Sequence, residues 1–332
     1  MFFDNGEKMR FKSVLLISFF VFAVTPFAMA ESTEDLFNQG VNAYDKGNYS
    51  QAIQLFEQAC KSGDVDGCNN LGILYNDGKN VKQNQTLAAN FFEQACNSGV
   101  AQSCNNLGFL YEKGQGIKQN DTQAAKLYEK ACNGNHAIGC HNLSTLYAKG
   151  QGVKQNYTQA AKLLEKACNG GNANGCYDLA WLYHKGQGVK QNNTQAAKLL
   201  EKACNGGIAQ GCHSLGVLYS DGQGVKQNYT QAAKFYEQAC NDAYVESCYN
   251  LGLLYHDGKG VKQNYTQAAK FYKQACDGGD AQGCYNLGSL YGNGQWVKRN
   301  RSIAQEYLKK ACDLGDKQGC DWYKKLNQKN VR

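Results

Sequence analysis

Sixteen cysteines and five histidines are the side chains of this 332-residue sequence best equipped for chemistry. The cysteines fall in eight pairs of one spacing: Cys60 and Cys68, Cys96 and Cys104, Cys132 and Cys140, Cys168 and Cys176, Cys204 and Cys212, Cys240 and Cys248, Cys276 and Cys284, Cys312 and Cys320. A zinc site needs four converging ligands, usually in closer pairs, and a redox pair is usually Cys-x-x-Cys, so neither pattern is met. An even count at fixed spacing, behind the export signal described below, implies disulfides. Two pairings are open, because in stacked helical hairpins the start of one helix lies near the end of both the previous and the following one. Bridges of the Cys68–Cys96 kind would leave Cys60 and Cys320 over, whereas Cys-x7-Cys bridges use all sixteen. The second arrangement is the expected one, each bridge contributing about 2 to 3 kcal/mol by closing a short loop.

The five histidines, His136, His141, His184, His213 and His256, show no metal-ligand spacing, and no metal or other cofactor is expected. A serine acyl-transfer enzyme of the β-lactamase kind needs a Ser-x-x-Lys motif, whose lysine lies close enough to activate the hydroxyl; the sequence contains none. No glycosidase-type carboxylate pair stands out, and the Gly-x-Gly pieces follow no strand, which excludes a nucleotide fingerprint. No catalytic residue is named on these grounds.

What positions these side chains is a 36-residue unit, plainest from Cys176 to Gly211 and written seven times without insertion, from Cys68, Cys104, Cys140, Cys176, Cys212, Cys248 and Cys284. Such a period is the signature of a solenoid, whose units bury their apolar faces against their neighbours. The single proline, Pro26, lies outside the units, as suits a chain made almost entirely of helices. Gly40, Tyr44, Gly47, Tyr49, Ala52, Phe56 and Ala59 fall where a tetratricopeptide repeat places its packing residues, so the expected organisation is a signal peptide (1–30), a tetratricopeptide-like cap (31–63), seven repeats (64–315), and a capping helix with a polar tail (316–332). The signal rests on Arg10 and Lys12, the apolar run Val14 to Val24 and the small-residue site Ala28-Met29-Ala30. The run is shorter than the ~20 residues that span a bilayer, so no stable membrane insertion is expected after cleavage. Met9 is as good a translation start as Met1.

Without residues 1–30 the formal charge falls from +7 to +6. Acidic and basic residues alternate along the helices (Lys198, Glu201, Lys202), the pattern of a solvated face. Lys82, Lys118, Lys154, Lys190, Lys226, Lys262 and Lys298 form one row that could face an anionic polymer, but nucleic acid is not an expected partner.

In each unit the first helix carries a stripe such as Cys176, Leu179, Ala180 and Tyr183, and the second a stripe such as Ala196, Leu199, Leu200 and Ala203. Gly186 suits a left-handed cap and Gly188 a tight turn, with Val189 plugging the hairpin. Asn192 is placed to cap the second helix, with Gln195 at the reciprocal position of a capping box. The Asn-x-Thr/Ser sequons at Asn84, Asn120, Asn156, Asn192, Asn228, Asn264 and Asn300 are explained by that capping role without a sugar.

The string exemplified by Leu215-Gly216, Leu218-Tyr219, Gly222-Gln223-Gly224-Val225 and Ala232-Ala233 resembles the Sel-one-like repeat, a relative of the tetratricopeptide repeat. With Cys-x7-Cys and the signal, residues 36 to 325 resemble the Helicobacter cysteine-rich proteins. The usual aspartate before the second helix is asparagine here, which keeps the cap. The resemblance implies an all-α, right-handed α/α solenoid stapled by disulfides. It also implies penicillin binding with weak β-lactamase activity, affinity for cell-wall fragments, and contacts with host cells.

Copies within the chain differ mainly at three positions of the first helix. One step after the cysteine stand Asn69, Asn105, His141, Tyr177, His213, Tyr249 and Tyr285; four further on, Ile73, Phe109, Thr145, Trp181, Val217, Leu253 and Ser289; three beyond those, Asn76, Glu112, Ala148, His184, Ser220, His256 and Gly292. Steps of 4 and 3 put them on one helical face, expected to be the concave one. Tyr177, Trp181, His184, His213, Tyr249, His256 and Tyr285 are therefore the candidate binding residues, unless some of them pack between repeats. The expected protein is a monomeric, secreted or periplasmic scaffold that binds a protein or peptide, peptidoglycan fragments or β-lactams. A weak β-lactam hydrolase and an envelope-assembly adaptor are the alternatives.

Overall fold

The computed structural model describes residues 32–78, 81–294 and 299–328; the expected signal peptide lies outside them. All regular structure among the described residues is helical. The chain divides after Gln155 into two compact units. The first holds α1 (Thr33–Asp45), α2 (Tyr49–Lys61), α3 (Val65–Asp77), α4 (Gln85–Asn97), α5 (Ala101–Lys113), α6 (Asp121–Asn133) and α7 (Ala137–Lys149). The second holds α8 (Tyr157–Asn169), α9 (Ala173–Lys185), α10 (Asn193–Asn205), α11 (Ala209–Asp221), α12 (Tyr229–Asn241), α13 (Val245–Asp257), α14 (Tyr265–Asp277), α15 (Ala281–Asn293), α16 (Arg301–Asp313) and α17 (Lys317–Gln328). Within each unit the helices stack as an α/α solenoid in which sequence neighbours are packing neighbours.

Local chemistry sets the boundaries. First helices end where a glycine takes the left-handed conformation, as Gly186 does at φ 68°, because a residue without Cβ turns the chain there at little cost. Second helices start at asparagine: Asn192 Oδ1 accepts the Gln195 amide at 3.0 Å, and Asn120, Asn156 and Asn228 repeat the bond. The reciprocal half of a capping box is absent. The Asn192 backbone N–H instead donates to the Tyr183 carbonyl at 2.9 Å, an acceptor freed by the end of α9, so Gln195 has nothing to reach back for. The Gln191 amide Nε2 donates to the His184 carbonyl at 2.8 Å and ties down the same helix end.

All eight Cys-x7-Cys bridges are formed, each joining a second helix to the next first helix. The core is the facing stripes: Cys176, Leu179 and Ala180 of α9 are buried against Ala196, Leu199, Leu200 and Ala203 of α10, with Val189 packed at the edge. Size is matched across the hairpins. Gly108, Gly216 and Gly252 lie so close to the rings of Tyr128, Tyr236 and Tyr272 that an added Cβ would sit 2.9, 2.7 and 2.6 Å from ring carbon. In the α9/α10 hairpin, Ala180 stands at the glycine position and Leu200 at the aromatic one.

The second loop glycine does a further job. A Cβ on Gly188 would sit 2.3 Å from the Tyr157 carbonyl carbon, so the turn of one repeat lies directly on the first turn of the preceding second helix. Thr194 Oγ1 donating to the Gly224 carbonyl at 2.8 Å shows the same junction one repeat on, and Thr86, Thr122 and Thr230 repeat it.

Candidate functional site

Four of the seven candidate residues line one cleft of about 300 Å³ between α9 and α11, floored by Ala180, Ala196, Leu200 and Leu218: Tyr177, Trp181 and His184 from α9, and His213 from α11. Trp181 is 45 % exposed, unusual for so large an apolar surface. His184 is half-buried, its Nδ1 3.0 Å from Asn193 Oδ1, which points the ring at the first turn of its own hairpin partner.

His213 packs against two tilted rings, its centroid 5.7 Å from Tyr236 and 4.9 Å from Tyr244. Its Nδ1 lies 2.8 Å from Ser247 Oγ on α13, the next first helix. Burial pushes the imidazole below its ordinary pKa, with the Glu246 carboxylate partly opposing, so the ring is neutral at pH 7. A hydroxyl at that distance from an imidazole has the spacing of a nucleophile and its base. Ser247, however, is fully buried, and Ser103, four repeats earlier, donates to Asn69 Oδ1 at 2.7 Å in the same register without any base. The pair is a pin between repeats.

The remaining candidates lie outside this cleft. Tyr249 lies 6.0 Å from the Tyr272 ring, and burial raises its pKa. Tyr285 lies 6.0 Å from Trp322. His256 Nδ1 lies 2.9 Å from Asp257 Oδ1, with its ring edge-on to Tyr265 at 5.3 Å. The position one step after the cysteine thus turns toward the neighbouring repeat, as Asn142 Nδ2 donating to Asn105 Oδ1 at 2.9 Å also shows. The cleft adds Ser214, Asp221 and Gln223, none of them a sequence candidate, and Val217, which the sequence placed in the Trp181 column but not among the candidates. The Asp221 position does vary between copies (Lys149, Lys185, Asp221, Asp257, Asn293), the same signal that marked the others.

Among the described residues no three His, Cys, Asp or Glu side chains converge as a metal site would require. No described helix is long and apolar enough to cross a membrane.

The Sel1 repeat profile matches eight consecutive stretches, from 28–64 and 65–100 through to 281–316. The chain belongs to the Sel1 repeat family. The first stretch covers α1 and α2, the unit without an upstream cysteine. Among curated proteins the chain is similar to HcpE of Helicobacter pylori, one of the Helicobacter cysteine-rich proteins and a candidate beta-lactamase by name, with 33% identity over 73 residues; the match spans 22% of this chain and 21% of HcpE. Among solved structures, a protective antigen present in uropathogenic Escherichia coli, described as displaying an SLR fold, superposes with a TM-score of 0.81 at 27% identity, covering 87% of this chain and 63% of that one. A Sel1 repeat protein from Oxalobacter formigenes gives a TM-score of 0.69 at 24% identity over 89% of this chain and 87% of its own.

The chain is accordingly a disulfide-stapled Sel1 scaffold of the kind that serves as a protein-interaction module, and eight bridges suit an extracytoplasmic setting.

Proposed function

We propose that this protein works outside the cytoplasm, in the periplasm or after secretion, as a binding scaffold that receives a peptide segment of a partner protein in the α9/α11 cleft. The exposed Trp181 carries the reading. A rigid amphipathic ring standing over a cleft walled by Tyr177, His184 and His213 supplies contact area at little entropic cost, as interface anchors do. The walls are themselves fixed, by the Cys168–Cys176 and Cys204–Cys212 bridges at the bases of α9 and α11. A site held rigid before binding loses less entropy when a ligand arrives.

The test is a comparison of partners crosslinked to the disulfide-intact protein. A partner captured by the wild type should be lost with Trp181→Ala and kept with Leu314→Ala, which removes another exposed apolar side chain of the same unit. Equal capture by all three proteins would sink the cleft as the binding site.

A further inference from the structure

The cleft carries one formal charge that nothing in it neutralises. Asp221, the last residue of α11, lines it, and no lysine or arginine does. One repeat on, the same position is satisfied: Asp257 is paired with Lys259 Nζ at 3.0 Å and with His256 Nδ1 at 2.9 Å, which hold its pKa below the ordinary carboxylate value. The residues in those two places around Asp221 are Gln223 and Ser220, so the lysine and the imidazole that pair with Asp257 have no counterpart there. Position adds to charge. Asp221 ends a helix, where the macrodipole is already negative and a carboxylate is disfavoured. Its field reaches inward too: after burial itself, Asp221 is the group that raises the Tyr236 hydroxyl, to about 12.

The lining offers no Lys or Arg cation to offset it. Burial pushes the His213 imidazole below its ordinary pKa, so this ring does not supply a positive charge at pH 7. The electron-rich faces of Tyr177 and Trp181 complete the lining, and such faces attract cations. At about 300 Å³ the cleft lies at the small end of ligand pockets, enough for one extended side chain.

Resting on the cleft as the binding site, we propose that its occupant is an arginine side chain of the partner peptide, its guanidinium stacked on Trp181 and paired with the Asp221 carboxylate. Arginine fits better than lysine because its planar fork can stack and pair at once.

The full, disulfide-intact chain is probed on arrays of capped random octapeptides whose central residue is fixed as arginine, lysine, citrulline, leucine or glutamate. Citrulline keeps the shape and removes the charge. Arginine pools should retain the wild type about tenfold better than citrulline pools, the difference of one charge-assisted pair. Asp221→Asn should erase that preference while Asp257→Asn leaves it intact. Equal retention on arginine and citrulline, or an Asp221→Asn protein that still prefers arginine, overturns the inference. In that event, a signal lost with Trp181→Ala on every pool would leave the cleft standing as a peptide site. A signal indifferent to Trp181→Ala would remove both.

Discussion

His213 Nδ1 lies 2.8 Å from Ser247 Oγ, 34 residues away on the next first helix, and the same register joins Asn69 to Ser103. At this place the described repeats otherwise carry glycine, as Gly175, Gly211 and Gly283 show, packed on an alanine of the preceding helix. A serine there buries a hydroxyl that must find a partner, and the preceding repeat supplies one, asparagine in one copy and histidine in the other.

The histidine makes this junction sensitive to pH. Its folded pKa is depressed by burial while the unfolded chain titrates near the ordinary value of about 6.5, so the unfolded state takes up the proton first as pH falls. Stability contributed by the neutral ring is complete above about 6.5 and is lost as pH drops from there through the lower folded pKa, at up to about 1.4 kcal/mol per pH unit. His213→Asn, the solution already used at Asn69, should keep the Ser247 bond and remove this part of the loss. Urea midpoints at pH 7.5 and 5.5 measure it; an equal drop in variant and wild type would refute the assignment.

A second expectation follows from size matching in the hairpins. Gly252→Ala puts a methyl 2.6 Å from the Tyr272 ring, and overpacking of that kind costs about 1 to 3 kcal/mol. Tyr272→Leu alone opens space and is also destabilising. Together they recreate the Ala180/Leu200 pair of the α9/α10 hairpin, so the double variant should be more stable than the sum of the single losses by about 1 kcal/mol or more. Strict additivity in thermal melts would mean that the two residues do not compete for the same volume.

These comparisons also mark where the sequence was readable. The period, the Cys-x7-Cys network, the left-handed cap at Gly186 and the asparagine cap at Asn192 depend on residues a few positions apart, and all four are present. The capping box at Gln195 failed because the Asn192 N–H had a competitor in the Tyr183 carbonyl, nine residues back across the turn. The grouping of the candidate residues was legible only in part. Steps of 4 and 3 put Tyr177, Trp181 and His184 on one wall, but the same column swings Tyr249 and Tyr285 into contact with Tyr272 and Trp322, whose distance depends on the stacking of helices. Asp221 varies between copies and lacks the Lys259 equivalent in the sequence itself, but that it lines one cleft with Trp181 depends on how α9 and α11 stack.

Loop positions separate two causes of strain. Gly207 has φ 84° with open space around it, so Gly207→Ala should cost only the left-handed penalty, about 1 to 2 kcal/mol. Gly188 has φ 70° and also abuts the Tyr157 backbone, so Gly188→Ala adds a clash no side-chain rotation can relieve and should cost at least about 1 kcal/mol more. Ala243 supplies the converse. It holds φ 59° at the place where Gly207 and Gly279 stand, and Ala243→Gly should raise stability by roughly 1 kcal/mol. Thermal melts that rank the three variants otherwise would break the distinction.

The bridges make the last prediction. Each closes a loop between a second helix and the next first helix, which in a one-dimensional array is the interface term coupling neighbouring repeats. Replacing Cys240 and Cys248 with serine removes about 2 to 3 kcal/mol at one junction and leaves the flanking hairpins covalently intact. Trp181 and Trp322 stand on opposite sides of that junction, on α9 and α17, and proteins keeping one or the other as sole tryptophan report each side separately. With all bridges present the two probes should unfold together in urea. Without Cys240–Cys248, the α13–α17 end, now coupled only by packing, should lose its Trp322 signal at lower urea than the Trp181 side. Coincident transitions in the bridge-deleted protein would mean that packing alone couples these repeats and that the disulfide serves only to hold each loop.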